Sequence, residues 1–348
     1  MSNVIIGTGG YLPARVVTND DLEKLVFDYD RARAGGKTLD QWARQQHGAE
    51  RRHWVQPGKE ATSDLATQAS LRAMEDAGLG PADIQVIVMA TITNDYRLPQ
   101  AAGQVQQNLG TRAKFIQVDA ACSGFVDSLL VAHGLMTTYG YENALVIGAD
   151  TMTYYLDPKK FIALTVFGDG AGAVVLRNRQ GLEGYGLCSF SVGSDGDLGH
   201  YVWAPGGGGK MPLSPQVLEE RSHFLRFKFS EINGWAVDRM SRSSREAVAR
   251  AGLKMTDIKW VVPHQASSSL VREVARQLDI PEQSVVNTYP YTGNISAGSI
   301  PYALDLANRK NHFADGDWIL MPAVGAGMAW GAATYRWYDY KATRKAAS

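Results

Sequence analysis

The chain has little of several features that would each assign it to a class of protein. Its two cysteines, Cys122 and Cys188, cannot form a disulfide framework, which is typical of a reducing cytoplasm. The 35 basic and 35 acidic side chains balance, so overall charge attracts neither nucleic acid nor an anionic membrane. No apolar run is long enough to span a bilayer, and residues 1–13 lack the basic segment of a secretory signal. We expect a cytoplasmic protein with no nucleic-acid or membrane partner.

Metal-binding and nucleotide-binding motifs are also missing. The seven histidines show no His-Glu-x-x-His spacing and the cysteines no Cys-x-x-Cys spacing, so no metal site is predicted. The glycines at 7, 9 and 10 follow a short strand, but Pro13 comes before a helix could begin. A dinucleotide-binding turn is therefore not indicated, and no resident cofactor is expected.

What the chain does contain is an internal repeat. The sequence Ala-Gly-Leu at 77–79 recurs at 251–253, and Asp-Ile at 83–84 recurs at 257–258. A strand-like apolar run follows each copy in the same register. At this offset Cys122 aligns with Ser296, and each of these residues opens a segment able to form a helix.

The apolar runs at 84–91, 144–148 and 260–263 are continuous, which is typical of strands buried on both faces. Helical segments alternate with them, so the sequence predicts an α/β protein of two similar halves packed as layers. We place these halves at residues 1–176 and 239–348. The segment 177–238, rich in Gly, Pro and aromatic residues, is predicted to be an irregular connection.

Three polar residues at element ends are candidates for chemistry. Cys122 precedes the predicted helix at 126–136, and a helix N-terminus favours thiolate and can bind an oxyanion. A buried cysteine acting as a small hydrophobe is the alternative. His264 ends a predicted strand, and Asn294 lies in a turn that enters a helix. Because the halves are related, the Cys122 and Asn294 segments can face each other across their interface.

In these three residues and in the motifs around them, the chain resembles the β-ketoacyl-acyl-carrier-protein synthase III family of the thiolase fold. The motifs that carry the resemblance lie at 6–9, 11–13, 119–125, 167–173, 193–196, 264–266, 293–294 and 330–331. The resemblance implies an αβαβα layered sandwich. It also implies Cys122 as the nucleophile, His264 and Asn294 as the pair that polarises the second substrate's carbonyl, and an oxyanion hole of the Cys122 and Ala326 backbone N–H groups.

The chemistry of these side chains agrees with those roles. A thiolate can take an acyl group from a thioester and keep it reactive. Two neutral donors, an imidazole and a carboxamide, could then stabilise an enolate, and such a donor is typically worth about 3 kcal/mol. The resemblance further implies an acyl carrier protein partner, acyl groups delivered as phosphopantetheine or coenzyme A thioesters, and a homodimer.

The chain departs from the family pattern around the substrate. Trp42 keeps a coenzyme A contact, but Gln46 and Phe161 stand where arginines are expected. Val324 replaces a bulkier phenylalanine, and Leu98 replaces an aromatic residue that reaches across the dimer. An insertion at 27–37 would alter the entrance. The basic residues that could instead contact an acidic carrier protein are Arg239, Arg242, Arg245 and Arg272.

Three functions remain open on this sequence. The first is a stand-alone ketosynthase of polyketide or other natural-product biosynthesis, which could join two β-ketoacyl chains. The second is a fatty-acid initiation synthase that condenses acyl-coenzyme A with malonyl carrier protein. The third is a non-catalytic partner subunit of the same fold. Such subunits usually lack the nucleophile, so the presence of Cys122, His264 and Asn294 argues against the third.

Overall fold

Two mixed β-sheets form the centre of the molecule. The computed structural model describes residues 2–26 and 28–347. The strands are β1 (Ser2–Tyr11), β2 (Arg15–Thr18), β3 (Arg51–Trp54), β4 (Val86–Ala90), β5 (Lys114–Val118), β6 (Asn143–Thr151), β7 (Asp169–Arg179), β8 (Gly186–Ser194), β9 (Val202–Trp203), β10 (Arg226–Phe227), β11 (Ile258–Val261), β12 (Trp318–Gly325) and β13 (Ala329–Arg336). The larger sheet has the order β1-β7-β6-β4-β5, and the smaller has the order β11-β12-β13-β8.

Helices cover both sheets. They are α1 (Asn19–Leu25), α2 (Leu39–Gln46), α3 (Thr62–Ala77), α4 (Ala101–Leu109), α5 (Gly124–Tyr139), α6 (Phe161–Val166), α7 (Pro215–Glu219), α8 (Phe229–Arg250), α9 (Ser268–Gln277), α10 (Tyr289–Thr292), α11 (Ser299–Arg309) and α12 (Tyr340–Ala347). None of them, within the described residues, is apolar over a stretch long enough to cross a bilayer.

The elements stack in five layers, which confirms the predicted αβαβα sandwich. Helix α3 packs on β1, β6 and β7, while α8 packs on β8, β12 and β13 of the other sheet. Helix α5 lies between the sheets and contacts strands of both, and α11 packs beside it on the larger sheet. The strands at the centre are apolar on both faces because both faces are covered; every residue of β4 is buried.

The internal repeat is visible in the hydrogen bonds. Leu79 N–H donates to the Met74 carbonyl at 2.9 Å, and Leu253 N–H donates to the Val248 carbonyl at 3.1 Å. Gly78 and Gly252, just before these two leucines, have positive φ angles of 64° and 72°. Both copies therefore end their helix with the same left-handed turn. At this point of the chain the offset is 174 residues, as predicted.

The offset changes before the site. Ala121 has φ 46° and Ser296 has φ 50°, and each begins a 3₁₀ turn that leads into a helix. The backbone counterpart of Ser296 is therefore Ala121, and that of Cys122 is Ala297. The alignment of Cys122 with Ser296 was wrong by one residue, because the second half carries one additional residue between its repeat motif and its helix.

The connection predicted at 177–238 contains regular structure. It holds β8, which pairs with β13 along the edge of the smaller sheet, and also β9, β10 and α7. The start of α8 lies in it as well. The proposed division of the chain at 176 and 239 stays a prediction.

Candidate active site

Cys122 lies in the 3₁₀ turn Ala121–Ser123, which runs directly into the long helix α5. Its Sγ is 3.5 Å from Ser296 Oγ. Burial raises the pKa of the Cys122 thiol to about 12, against the lowering effect of hydrogen bonds with Ser296 and Asn294. The helix N-terminus still favours negative charge here, but burial opposes it. The side chain therefore rests as a thiol, and its attack on an acyl group requires an acceptor for the proton.

His264 follows strand β11 and is 1 % exposed. Its backbone N–H donates to the Pro322 carbonyl at 2.9 Å, which fixes it beside β12. Burial lowers the pKa of the imidazole to about 3, so the ring is neutral at any ordinary working pH. Within the described part of the chain Nδ1 has no hydrogen-bond partner. A neutral imidazole is a donor through one nitrogen and a weak base through the other.

Asn294 is held by its backbone on both sides. Its N–H donates to the Val166 carbonyl at 2.8 Å, and its carbonyl accepts from Gly168 N–H at 3.1 Å. Its Oδ1 accepts from the Ser296 N–H at 2.8 Å. Because the oxygen of the carboxamide is thereby committed, the amide NH₂ group is the part left to donate to a substrate.

The three residues line a single cavity of about 490 Å³, which is the size of a small-molecule site. Trp42, Val324 and Ala326 line the same cavity, and the roles that the resemblance implies for them stay predictions. The structure does not bring Phe161 or Leu98 to the cavity lining. Phe161 packs edge-on against Trp42, with ring centroids 5.0 Å apart, and Leu98 is 84 % exposed at the surface.

Gly325 brings the Ala326 backbone close to the nucleophile. A Cβ built on Gly325 would lie 3.0 Å from the Cys122 N and 2.7 Å from the Ala120 carbonyl oxygen. Among residues 2–26 and 28–347, the backbone hydrogen bonds of turns and loops include none that the Cys122 N–H or the Ala326 N–H donates to another residue. Two unused N–H groups beside a nucleophile are the arrangement that an oxyanion hole requires.

The inserted segment reaches the same region. Phe27 lies outside the described residues. Tyr29 packs against Phe161 with centroids 5.1 Å apart and against Trp42 at 6.4 Å. The insertion thus adds an aromatic ring that contacts both Trp42 and Phe161, the latter at a position where an arginine was expected.

The four arginines considered for carrier docking lie on two helices, Arg239, Arg242 and Arg245 on α8 and Arg272 on α9. They differ in their contacts. The Arg239 guanidinium lies 4.9 Å from the ring centroid of Trp330, and Arg245 donates to the Gln277 carbonyl. Arg242 is largely exposed, 4.0 Å from Asp238, and Arg272 lines a separate groove of about 270 Å³.

Sequence reasoning missed His47, which lines the cavity. Its ring is held by the Tyr289 hydroxyl at 3.0 Å and by Thr165 Oγ1 at 3.2 Å. Burial lowers the pKa of His47 to about 4, so it too is neutral. No local pattern in the sequence points to His47, because both partners lie more than 100 residues away in the chain. Among the described residues no group of three His, Cys, Asp or Glu side chains is placed to hold a metal ion.

Comparisons with known proteins show the family of the chain. Residues 116–196 match the family model described as 3-oxoacyl-[acyl-carrier-protein (ACP)] synthase III, and residues 248–337 match the model of its C-terminal part. A β-ketoacyl-[acyl-carrier-protein] synthase III of Caldanaerobacter subterraneus is 38 % identical over 334 residues, covering 96 % of this chain and 97 % of that protein. The chain belongs to the synthase III family. It is therefore a ketosynthase-type acyltransferase.

Solved structures of similar proteins have the same architecture. The 3-oxoacyl-[acyl-carrier-protein] synthase III of Aquifex aeolicus superposes with a TM-score of 0.86 at 33 % identity, covering 97 % of this chain and 100 % of that one. The priming β-ketosynthase of the R1128 polyketide pathway superposes with a TM-score of 0.86 at 27 % identity, covering 97 % of each chain. The thiolase-like fold predicted from the sequence is confirmed.

Proposed function

We propose that this chain catalyses the initiating condensation of a synthase III. In this reaction an acyl group from a thioester is first loaded on Cys122 and then joined to a malonyl group carried by an acyl carrier protein. The observation that carries the proposal is that Cys122, His264 and Asn294 line one cavity. The curated relatives named as synthase III favour this function over the natural-product function that the departures around the substrate suggested.

The first half-reaction transfers the acyl group. The sulfur of Cys122 attacks the thioester carbonyl, and the carbonyl oxygen becomes an oxyanion beside the N–H groups of Cys122 and Ala326. The carbon–sulfur bond of the donor breaks, and the donor leaves as a thiol. The product is a thioester on Cys122, which keeps the acyl carbon electrophilic.

The second half-reaction makes the carbon–carbon bond. Loss of carbon dioxide from the malonyl group leaves an electron pair that forms an enolate. The neutral imidazole of His264 and the amide NH₂ of Asn294 donate to its oxygen, each interaction being worth about 3 kcal/mol in a preorganised site. The enolate carbon attacks the acyl carbon on Cys122, and the bond from that carbon to the Cys122 sulfur breaks. The sulfur leaves as a thiolate, which takes up one proton from water to restore the thiol. The proposed reaction uses no resident cofactor.

The site also suggests how the donor is held. Trp42 lies in the cavity wall, and Phe161 and Tyr29 pack behind it, so the wall that receives the donor is aromatic. Gln46, which also lines the cavity, brings no positive charge. Gln46 and Phe161, which stand where arginines are expected, cannot make charge-assisted contacts to the phosphates of coenzyme A. Such contacts are typically worth about 1.5 to 3 kcal/mol each, so we propose that carrier proteins are better donors than coenzyme A.

A second candidate function is the priming or joining of larger acyl groups in natural-product synthesis. It is favoured by Val324, a small side chain in the cavity wall, and by apolar lining residues such as Ile92, Met152 and Phe227. The 27 % identity to a polyketide priming ketosynthase is compatible with it.

We further propose that two copies of the chain form a homodimer in the cytoplasm. Tyr96 and Leu98, both strongly exposed, would lie at its interface. Two exposed large apolar side chains so close in sequence are suited to burial by a second copy. Sedimentation of the protein over a range of concentrations tests this, and a monomer at all of them would contradict it.

One experiment separates the two candidate functions. The protein is incubated with short acyl, long acyl and β-ketoacyl thioesters, each as a coenzyme A and as a carrier-protein thioester, with and without malonyl carrier protein. Intact-mass measurement then gives the acyl group on the enzyme and the product on the carrier. Short acyl loading followed by a β-ketoacyl carrier product supports initiation. Preferential loading and joining of β-ketoacyl chains supports the second function, and no loading by any thioester contradicts both.

A further inference from the structure

A hydroxyl group and a carboxylate lie directly behind the nucleophile, and the mechanism above does not use them. Ser296 Oγ is 3.5 Å from Cys122 Sγ, and Ser296 is fully buried. Its φ of 50° is costly for a residue with a side chain, and such strain is typically found where function requires it. Its N–H is bonded to Asn294 Oδ1, so Ser296 connects the nucleophile with the proposed enolate donor.

Asp150, near the end of β6, lies on the other side of Ser296 and is also fully buried. Its Oδ2 accepts from the Ala297 N–H at 3.2 Å, one residue beyond Ser296. Burial raises the pKa of the carboxyl, and the neighbouring Ser296 side chain acts to lower it. Its Oδ1 accepts three further bonds, each of 2.9 Å, from Thr91 Oγ1, Ile92 N–H and Thr93 Oγ1.

The partners of Asp150 favour its ionised form, because each oxygen accepts a bond from a backbone N–H, which can only donate. Burial acts in the opposite direction and raises the pKa of the carboxyl. A buried carboxylate with a raised pKa is a stronger proton acceptor than an exposed one. When the Ser296 hydroxyl donates to it, an Oγ lone pair is free to face the Cys122 sulfur.

We propose that Ser296 is a further catalytic residue, which accepts the thiol proton of Cys122 during acyl loading, and that Asp150 is its positioning residue. As the sulfur bonds to the acyl carbon, the S–H bond breaks and its proton passes to Ser296 Oγ. The hydroxyl proton of Ser296 passes to Asp150. When the tetrahedral intermediate collapses, the bond between the acyl carbon and the donor sulfur breaks. The donor leaves as a thiolate and takes the proton back from Asp150 through Ser296. No proton is gained or lost overall.

His264 is a less suitable acceptor for the Cys122 proton than the pair of Ser296 and Asp150. Burial lowers the pKa of His264 to about 3 but raises the pKa of the Asp150 carboxyl, so the imidazole is the weaker base. Its task in the proposed function is to donate to the enolate. The relay rests on the proposed function, since it requires that Cys122 is loaded from a thioester.

The test compares Ser296→Ala and Ser296→Gly with Ser299→Ala in a Cys188→Ser background. Ser299 is the matched control, because it is a fully buried serine three residues on, whose Oγ has no hydrogen-bond partner among the described residues. Loading of Cys122 by an acyl thioester is followed by intact mass at several thioester concentrations. We expect both Ser296 variants to lower the maximal loading rate about 100-fold with little change in half-saturation. Ser299→Ala should load like the parent.

The outcomes are distinguishable. Loading by both Ser296 variants within threefold of the parent overturns the relay and leaves the proposed function intact. A raised half-saturation with an unchanged maximal rate also overturns it, because that is the effect of a purely structural change. If Ser296→Ala does not fold, Ser296→Gly decides, since glycine adopts φ 50° without strain. A parent protein that no thioester loads overturns the proposed function and the relay together.

Discussion

The two halves of the molecule enter the active site through the same backbone turn but with different side chains. Ala121 and Ser296, both with positive φ, begin the turns, and the next residue is Cys122 in one half and Ala297 in the other. The first turn supplies a nucleophile. The second turn has the methyl group of Ala297 at the equivalent position. Its polar side chains, Asn294 and Ser296, come before that position in the chain. In the proposed function the first half carries the acyl group on Cys122, and the second half stabilises the enolate through His264 and Asn294.

Each turn is also held by a glycine from the opposite half. A Cβ at Gly325 in β12 would lie 2.7 Å from the Ala120 carbonyl oxygen, beside the first turn. A Cβ at Gly148 in β6 would lie 2.1 Å from the Ala297 carbonyl oxygen, beside the second. Both distances are too short for real atoms. Each sheet therefore approaches the other half's turn as closely as its backbone allows, and the two turns face each other across this contact.

The largest expected effect is loss of the nucleophile. Cys122→Ala should abolish acyl loading, since the first turn holds no other thiol. Intact mass after incubation with a reactive acyl thioester is the measurement. Cys188→Ala is the matched control and should load normally, although Cys188 is the more exposed cysteine. A full adduct on Cys122→Ala would refute the nucleophile assignment.

Loss of enolate stabilisation should leave acyl loading in place. His264→Ala and Asn294→Ala should each lower product formation by about 10² to 10³-fold, the usual effect of removing one oxyanion donor. Both should still load Cys122, because their proposed target is the enolate. Parallel assays of loading and of product on the carrier measure the two tasks separately. If both variants kept near-normal turnover, the division of tasks between the halves would be wrong.

The close approach of each sheet to the opposite turn gives the next prediction. Gly325→Ala should displace the first turn and slow loading. Gly148→Ala should displace the second turn and impair condensation more than loading. We expect each to cost about 1 to 3 kcal/mol in the free energy of unfolding, the range for overpacking, measurable by denaturant titration.

Gly134→Ala is the control for both glycine variants. Gly134 lies inside α5 with open space where its Cβ would be. Alanine there should stabilise the protein by about 0.5 to 1 kcal/mol. Equal effects of all three changes on stability and activity would show that the close contacts are unimportant.

The smallest effect is expected at the surface of the second half. Arg242→Glu and Arg272→Glu should each weaken carrier-dependent loading by a few-fold at low salt, because an exposed charge is worth about 0.2 to 1 kcal/mol. The effect should fade as salt is added. Lys310→Glu makes the same charge change just after the last residue of α11 and should have no effect. Equal losses with Lys310→Glu would mean that overall charge, and not docking at α8 and α9, is responsible.

Much of the fold was predictable from the sequence because its signals are local. Continuous apolar runs predicted β4, β6 and β11, and the repeat that includes Ala-Gly-Leu predicted two similar halves. The placement of Cys122, His264 and Asn294 around one cavity followed from the relation of the halves together with the family resemblance.

The rest depended on contacts that the sequence does not encode locally. The repeat aligned Ser296 with Cys122. The φ angles show that the two residues are not equivalents, and the contact between their side chains shows that they are neighbours across the site. His47 and Asp150 are held by residues far away in the chain. Leu98 was assigned to a tunnel by resemblance, and in the single chain it is exposed; its role in a partner's tunnel stays a prediction.

The buried imidazoles of His264 and His47 have a consequence for the protein in acid. Their pKa values are about 3 and about 4 when folded, against 6.5 for an exposed histidine. Below pH 6.5 the unfolded chain therefore binds more protons, and each histidine removes roughly 1.4 kcal/mol of stability per pH unit down to about pH 4. The melting temperature should fall steeply between pH 6.5 and 4.5, and less steeply in His47→Gln. An acid quench that stops acyl transfer will thus also open the chain, which exposes the thioester on Cys122 for mass analysis.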